Sequence, residues 1–384
     1  MPLMLNGKEV VSKLNKDLKA VYLGNKLIYK SSTQVLLSGI SSNAILVSKD
    51  GLNYQRKTVT TPAGNNTTMF SSFGTVNGKI WAANTNGIYI TEDLVNYTLL
   101  IGNPSSKYSL SYGNLVANIG SQFAAVFENS DNAILYFCYT NQQGTAWATT
   151  PIKLDTSSNL RCHKLTAFKN EFLLFTNAGV YHININSTER TDDSAYASML
   201  KKCYFTHKNG HTFESLTKYN SGNVRDFTCA NVVENEVYCC MNSKTADECA
   251  IFKSIDGINW TGLYYEDGQI LTYDGFLSLA KNDNVIVSLY KYSSELKFIR
   301  SLDSGQTWQQ VNMYSAVGSY NSPWVNRCFL QYFNDILIYN GFKLSDGNNV
   351  WYSTDNATSL KKASSGGDWG TPGSFVCLET ELNI

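Results

Sequence analysis

The residues of this chain best suited to chemistry are carboxylates set among aromatic and small polar residues. Glu266 and Asp267 follow Tyr264 and Tyr265, Asp274 lies a little further on, and Asp368 precedes Trp369. Cleavage of a neutral polysaccharide needs two carboxyl groups roughly 5–10 Å apart, one to give a proton and one to act as base or nucleophile. Glu266 or Asp267 with Asp274 or Asp368 could supply them, but nothing in their spacing brings them together. An enzyme acting on an acidic sugar would instead converge arginines on the substrate carboxylate, which a guanidinium grips through two hydrogen bonds. The arginines Arg56, Arg161, Arg190, Arg225, Arg300 and Arg327 are scattered singly. No Gly-x-Ser-x-Gly, phosphate loop or metal-ligand cluster is present. His207 and His211 share one turn without a zinc-binding pattern around them. No cofactor and no metal are expected, and the reading favours binding over catalysis.

Binding chemistry has better candidates. Four segments, 107–113, 264–268, 314–324 and 364–370, are rich in Tyr, Ser, Gly and Asn. Rigid aromatics and small polar groups together bind many shapes at low entropic cost. Aromatic faces stack on sugar rings, while Asn, Asp and Glu engage hydroxyls. Tyr265, Tyr320, Trp324 and Trp369 are the candidate glycan contacts.

A repeated turn sets out the elements that must position these residues. Its clearest copies read Ser254-Ile255-Asp256-Gly257-Ile258-Asn259-Trp260 and Ser301-Leu302-Asp303-Ser304-Gly305-Gln306-Thr307-Trp308. Weaker copies bring the key Asp or Asn to positions 50, 93, 141, 209, 256, 303 and 355, with gaps of 43, 48, 68, 47, 47 and 52 residues. A short carboxylate accepts backbone N–H groups ahead of it, and a following Gly supplies positive φ. Apolar or β-branched runs such as Ala44-Ile45-Leu46-Val47 precede the turns and read as strands. The period matches one four-stranded propeller blade. Seven copies predict an all-β, seven-bladed β-propeller over 31–384. Blade 1 lacks an inner strand, and the C-terminal strand 374–379 is expected to close the ring by supplying it. The long gap is assigned an insertion centred on 186–197, and it could instead hide a blade that lost its turn.

The turn resembles the Asp box, the bacterial neuraminidase repeat of sialidases, xyloglucanases and related propellers. That resemblance implies structural roles for Asp50, Asp93, Asp256, Asp303 and Asp355, which would tie turns on the face opposite the enzymes' active sites. It does not imply an activity, because hydrolases, assembly factors and receptors all carry the box. The Arg-Ile-Pro motif typical of sialidases is absent, so sialidase activity is not expected.

Residues 1–30 differ from the rest. Met4 to Val11 reads as a hairpin around Asn6-Gly7, and Ala20 to Lys30 as a second around Gly24-Asn25. So small a unit cannot bury a core of its own and must dock elsewhere. The stretch Val21-Tyr22-Leu23-Gly24-Asn25-Lys26-Leu27-Ile28-Tyr29 resembles a short motif near the start of bacteriophage tail and baseplate proteins. The resemblance implies an attachment arm at 1–30, with Tyr22, Leu23, Gly24, Leu27 and Tyr29 at its centre and other virion proteins as partners.

Composition narrows the classes. Lys and Arg number 31, balanced by 31 Asp and Glu, and no basic stripe appears, so nucleic acid is not an expected partner. No apolar run approaches a membrane span, and no signal-peptide core is visible. Nine cysteines without a Cys-x-x-Cys read as reduced, buried thiols, with Cys239 and Cys240 on opposite faces of one strand. The expectation is a phage virion protein made in the host cytoplasm and present in several copies per particle. Its propeller would contact host surface glycan or other virion subunits. A polysaccharide depolymerase and a cellular assembly factor are the alternatives.

Overall fold

A computed structural model describes residues 3–5, 8–11, 20–23, 26–30, 33–40, 43–62, 69–110, 115–131, 134–148, 151–154, 160–185, 200–201, 203–214, 225–243, 248–267, 275–292, 295–312, 329–343, 347–363 and 375–380. Every regular element among them is a strand. Seven sheets, each built on four antiparallel strands, succeed one another along the chain and form a seven-bladed β-propeller.

Blade 1 comprises Phe375–Thr380, Thr33–Ile40, Ala44–Ser48 and Gln55–Thr58, from the axis outward. Its innermost strand comes from the C-terminal end, with Phe375 opposite Ser38 and Thr380 opposite Thr33. Blade 2 is Ser72–Val76, Lys79–Asn84, Gly87–Thr91 and Thr98–Gly102. Blade 3 is Val116–Ile119, Gln122–Asn129, Ile134–Tyr139 and Ile152–Lys153, and Tyr108–Leu110 continues its innermost position by pairing with the far end of Gln122–Asn129. The segment 107–113, read from sequence as a loop, thus contributes a strand. Blade 4 is Cys162–Phe168, Glu171–Thr176, Val180–Ile183 and Leu200–Lys201. Blade 5 is Arg225–Val233, Glu236–Ser243, Glu248–Ser254 and Asn259–Asp267, blade 6 is Gly275–Asn282, Val285–Tyr292, Glu295–Ser301 and Gln309–Asn312, and blade 7 is Phe329–Phe333, Ile336–Lys343, Gly347–Ser353 and Lys361–Lys362.

One element departs from the expected repeat. The copy at Asn209 does not join the third and fourth strands of a blade. It turns a hairpin, Tyr204–Thr206 and Thr212–Glu214, whose first strand lies parallel to Asn259–Asp267 and widens blade 5 to six strands. The expected insertion centred on 186–197 falls in the chain between the third and fourth strands of blade 4. Blade 4 is therefore the one whose repeat is missing. The hairpin docks through Gly262, where a Cβ would lie 2.6 Å from the Lys208 backbone nitrogen. Phe205 stacks between Phe213 and Trp260, with centroids at 4.8 and 5.5 Å.

Closure is visible in the packing. The innermost strands touch in order around the axis and return to blade 1. Seven apolar clusters fill the seven blade interfaces. Inner strands bury both faces: Leu36 joins the cluster shared with blade 7, and its neighbour Leu37 the cluster shared with blade 2. Cys239 packs toward blade 4 and Cys240 toward blade 6, as alternation along a strand requires. First-to-second strand turns are tight where Asn77-Gly78, Lys169-Asn170 and Asn334-Asp335 each place two residues at positive φ, the geometry that matches strand twist. These turns and the third-to-fourth turns share one face. The starts of the innermost strands open on the other.

The N-terminal segment forms two separate two-stranded sheets. Leu3–Leu5 pairs with Lys8–Val11, and Ala20–Leu23 with Lys26–Lys30. Neither joins a blade sheet.

Candidate functional site

The repeated turns are built alike in blades 1, 2 and 5. Asp256 Oδ1 accepts the N–H groups of Ile258 and Asn259 at 2.8 and 2.7 Å, and Oδ2 accepts Asn259 Nδ2 at 2.7 Å. Ser254 Oγ donates to Asp256 and accepts the Gly257 N–H at 2.8 Å. Asp50 and Asp93 repeat this with Asn53 and Asn96. Blades 6 and 7 run one residue longer, and a hydroxyl replaces the amide: Thr307 Oγ1 donates to Asp303 and Ser359 Oγ to Asp355, both at 2.6 Å. In blade 3 Asn141 Oδ1 accepts Thr145 N–H at 2.9 Å. The residue after the Asp has positive φ at Gly51, Leu94 and Gly257, and it presses on the preceding blade in two of them, Gly51 against Phe333 and Ile338 and Gly257 against Phe168 and Leu173. Only glycine takes this conformation without strain.

Electrostatics follow from these bonds. Burial opposes ionisation of Asp50 and Asp256, but the side-chain amide and backbone N–H groups outweigh it and hold both carboxyls down at about 2. Asp303 is held at about 2 by the Thr307 hydroxyl and backbone N–H, and Asp355 reaches about 2 as Ser359 overcomes its partial burial. Asp93 is lowered further, chiefly by the backbone N–H groups of Asn96 and Val95. Such carboxylates are fixed acceptors, and a general acid would need the opposite shift. A shallow groove of about 220 Å³ beside Asp93 is lined by Lys79, Ile90, Glu92 and Thr98, with Lys79 and Glu92 paired across it at 2.7 Å.

The four predicted contacts are not brought together within the described residues. Tyr265 lies in the outer strand of blade 5 opposite Ala250, half-buried, with its ring edge-on to His207 at 5.1 Å. It packs the edge hairpin onto the blade. Tyr320, Trp324 and Trp369 lie outside the described residues, as do Asp274 and Asp368. Glu266 and Asp267 end the same strand as Tyr265, opposite Cys249 and Glu248. In the arm, Tyr22 pairs with Leu27 and Val21 with Tyr29, Leu23 closes the pairing with Lys26, and Gly24 is outside the described residues. His207 and His211 have ring centroids 5.9 Å apart. No group of three metal-ligating side chains occurs among the described residues.

Sequence reading missed a polar pair at the axis. His163, on the first strand of blade 4, places Nε2 2.5 Å from Asp226 Oδ1, on the first strand of blade 5. Pairing shifts between Cys162 and Lys164, so His163 is the extra residue of a β-bulge, a device that re-aims a side chain. Beside it, Lys164 donates to Ala230 O at 2.9 Å, and burial lowers its pKa. The two partners are far apart in the chain, and only the order of blades brings them together.

No family model matches the chain, and no curated protein matches it. Solved structures do. A protein assigned as a 6-phosphogluconolactonase from Bacteroides uniformis superposes with a TM-score of 0.57 at 9% identity, covering 91% of this chain and 100% of its own. The periplasmic gluconolactonase of Pseudomonas aeruginosa gives 0.53 at 10%, covering 90% and 98%. A GH74 xyloglucanase from Xanthomonas campestris gives 0.46 at 12%, covering 76% and 45%. At such identities the likeness is one of fold, and the fold of this chain is that of the seven-bladed β-propellers.

Proposed function

We propose that the protein is a bacteriophage virion component in which residues 1–30 attach to the particle and the propeller presents its loop face to host surface glycan or to other virion subunits. The observation that carries this reading is the separateness of the N-terminal hairpins, which pair internally and join no blade. Two-stranded sheets of three to five residues are marginal alone, so they need a docking surface. The Tyr-, Ser-, Gly- and Asn-rich segments suit weak sugar contacts that many copies on one particle would multiply. The lowered carboxylates of the repeated turns support a scaffold role for that face.

The test is particle incorporation. Virions assembled with a chain lacking residues 1–30 should lack the protein, while circular dichroism shows that the shortened propeller still folds. Undiminished incorporation would overturn the arm. A wild-type chain absent from particles would turn the reading toward a cellular assembly factor.

A further inference from the structure

Blade 5 carries two cysteines face to face. Cys229 on its innermost strand stands directly opposite Cys240 on the second. Residues so opposed in antiparallel strands lie about 4.5–5.5 Å apart at Cα, within the roughly 4.4–6.8 Å that a disulfide spans. Both side chains belong to the apolar cluster between blades 5 and 6. The two thiols already share a hydrogen bond, and Cys240 Sγ lies 3.5 Å from Ser288 Oγ of blade 6. Burial, with the Cys229 hydrogen bond adding to it, keeps the Cys240 thiol protonated. The two differ in exposure: Cys240 is closed to solvent, while Cys229 is half-buried and open to a small reagent.

We propose that Cys229 and Cys240 form an oxidation site that closes into a cross-strand disulfide when hydrogen peroxide reaches Cys229. The Cys229 thiolate attacks one peroxide oxygen, the O–O bond breaks, and the departing hydroxide takes up the thiol's proton as water. The Cys240 sulfur then gives up its proton and displaces the hydroxyl from the Cys229 sulfur as a second water. The two sulfurs together lose the two electrons that peroxide gains. Register shuts out the neighbouring thiols. Cys239 stands opposite Ala230 and packs toward blade 4. Cys249 stands opposite Asn242, a diagonal neighbour of Cys240. Diagonal neighbours lie about 7–8 Å apart at Cα, too far for a disulfide without backbone movement. The bond would tie the innermost strand of blade 5 to the second beside the bulge between Phe227 and Cys229, where the ladder is locally disrupted. A thiol-rich cytoplasm keeps such a pair reduced, and an oxidising exterior closes it.

The test maps the bond in the full chain. Protein purified under reductant is freed of it, treated with hydrogen peroxide and unfolded in excess iodoacetamide, which caps every remaining thiol. A glutamate-specific protease then separates the partners: residues 215–234 hold Cys229 alone, residues 237–248 hold Cys239 and Cys240, and Cys249 falls in the next peptide. The expected result is 215–234 joined to 237–248 through Cys240, with Cys239 and Cys249 capped, and both thiols restored by dithiothreitol. The linked chain should also melt above the reduced one. Cys239→Ala should keep the link and Cys240→Ala should lose it, and mapping of the wild type decides the matter if either variant fails to fold. Capping of both Cys229 and Cys240 after peroxide, oxidation of Cys229 without a link, or a link from Cys229 to Cys239 or Cys249 would overturn the site. A linked chain that melts no higher would overturn the tie between the strands.

Discussion

Trp81 donates its indole N–H to Asn118 Oδ1 at 2.8 Å, and the same amide donates to Thr75 O and Gly120 O at 2.9 and 2.8 Å. One side chain of blade 3 thereby satisfies two groups of blade 2. Gly74 makes room, since a Cβ there would fall 2.5 Å from the Trp81 ring. Asn118→Ala strands a buried donor and two carbonyls, so we expect a loss of about 2 kcal/mol in urea unfolding. Asn118→Asp keeps the acceptor for Trp81 but sets a carboxylate oxygen against the Thr75 and Gly120 carbonyls, so it should lose at least as much. Unchanged stability in both variants would contradict the assignment.

Gly262 is where the edge hairpin meets blade 5. Gly262→Ala puts a methyl against the His207 and Lys208 backbone, a close approach that only displacement of the hairpin relieves. Overpacking of this kind costs about 1–3 kcal/mol. Trypsin should then cut at Lys208 well before it cuts the wild type. Unchanged cleavage would show that the hairpin does not depend on this approach.

Acid should loosen the repeated turns. Asp50, Asp256, Asp303 and Asp355 have folded pKa values near 2, below the ordinary carboxylate value of 3.8. A depressed carboxylate adds stability above its unfolded pKa and loses it as pH falls through the folded value. The melting temperature should therefore hold down to pH near 4 and drop between about 4 and 2. The drop should be smaller in Asp256→Asn. A flat profile to pH 2 would refute this.

The glycine of the blade 5 turn tests its geometry. Gly257 has φ +75, close to the +73 of Gly51, and a Cβ there would lie 3.2 Å from Leu173. Left-handed backbone costs a non-glycine residue roughly 1–2 kcal/mol, so Gly257→Ala should lose at least that much. No measurable loss would mean the turn relaxes freely.

Ring closure depends on the C-terminal strand. Val376 and Leu378 pack toward blade 2, and Cys377 toward blade 7. A chain ending at residue 374 leaves the backbone groups of Thr33–Ile40 unpaired on its inner edge. Its melting transition should fall further than that of any single substitution above. A transition unchanged from wild type would contradict closure through this strand.

The repeat period made the ring legible before the structure, because each turn needs its Asp, its small residue and its following aromatic in fixed order. The Asn209 copy misled because a hairpin at a blade edge can use similar turn chemistry. There Asn209 Oδ1 accepts the His211 N–H at 3.0 Å, while His207 N–H bonds His211 O. Tyr265 stands in sequence among residues suited to sugar contacts, yet its ring packs on the hairpin. His163 and Asp226 left no local signal: a bulge and the adjacency of two blades create the pair.

The most direct test of the central claim applies the full chain to polysaccharide from the host wall and records both retention and release of reducing ends. The account predicts retention without new reducing ends. New ends would establish a depolymerase, and no retention on any host polymer would contradict a glycan-contacting propeller.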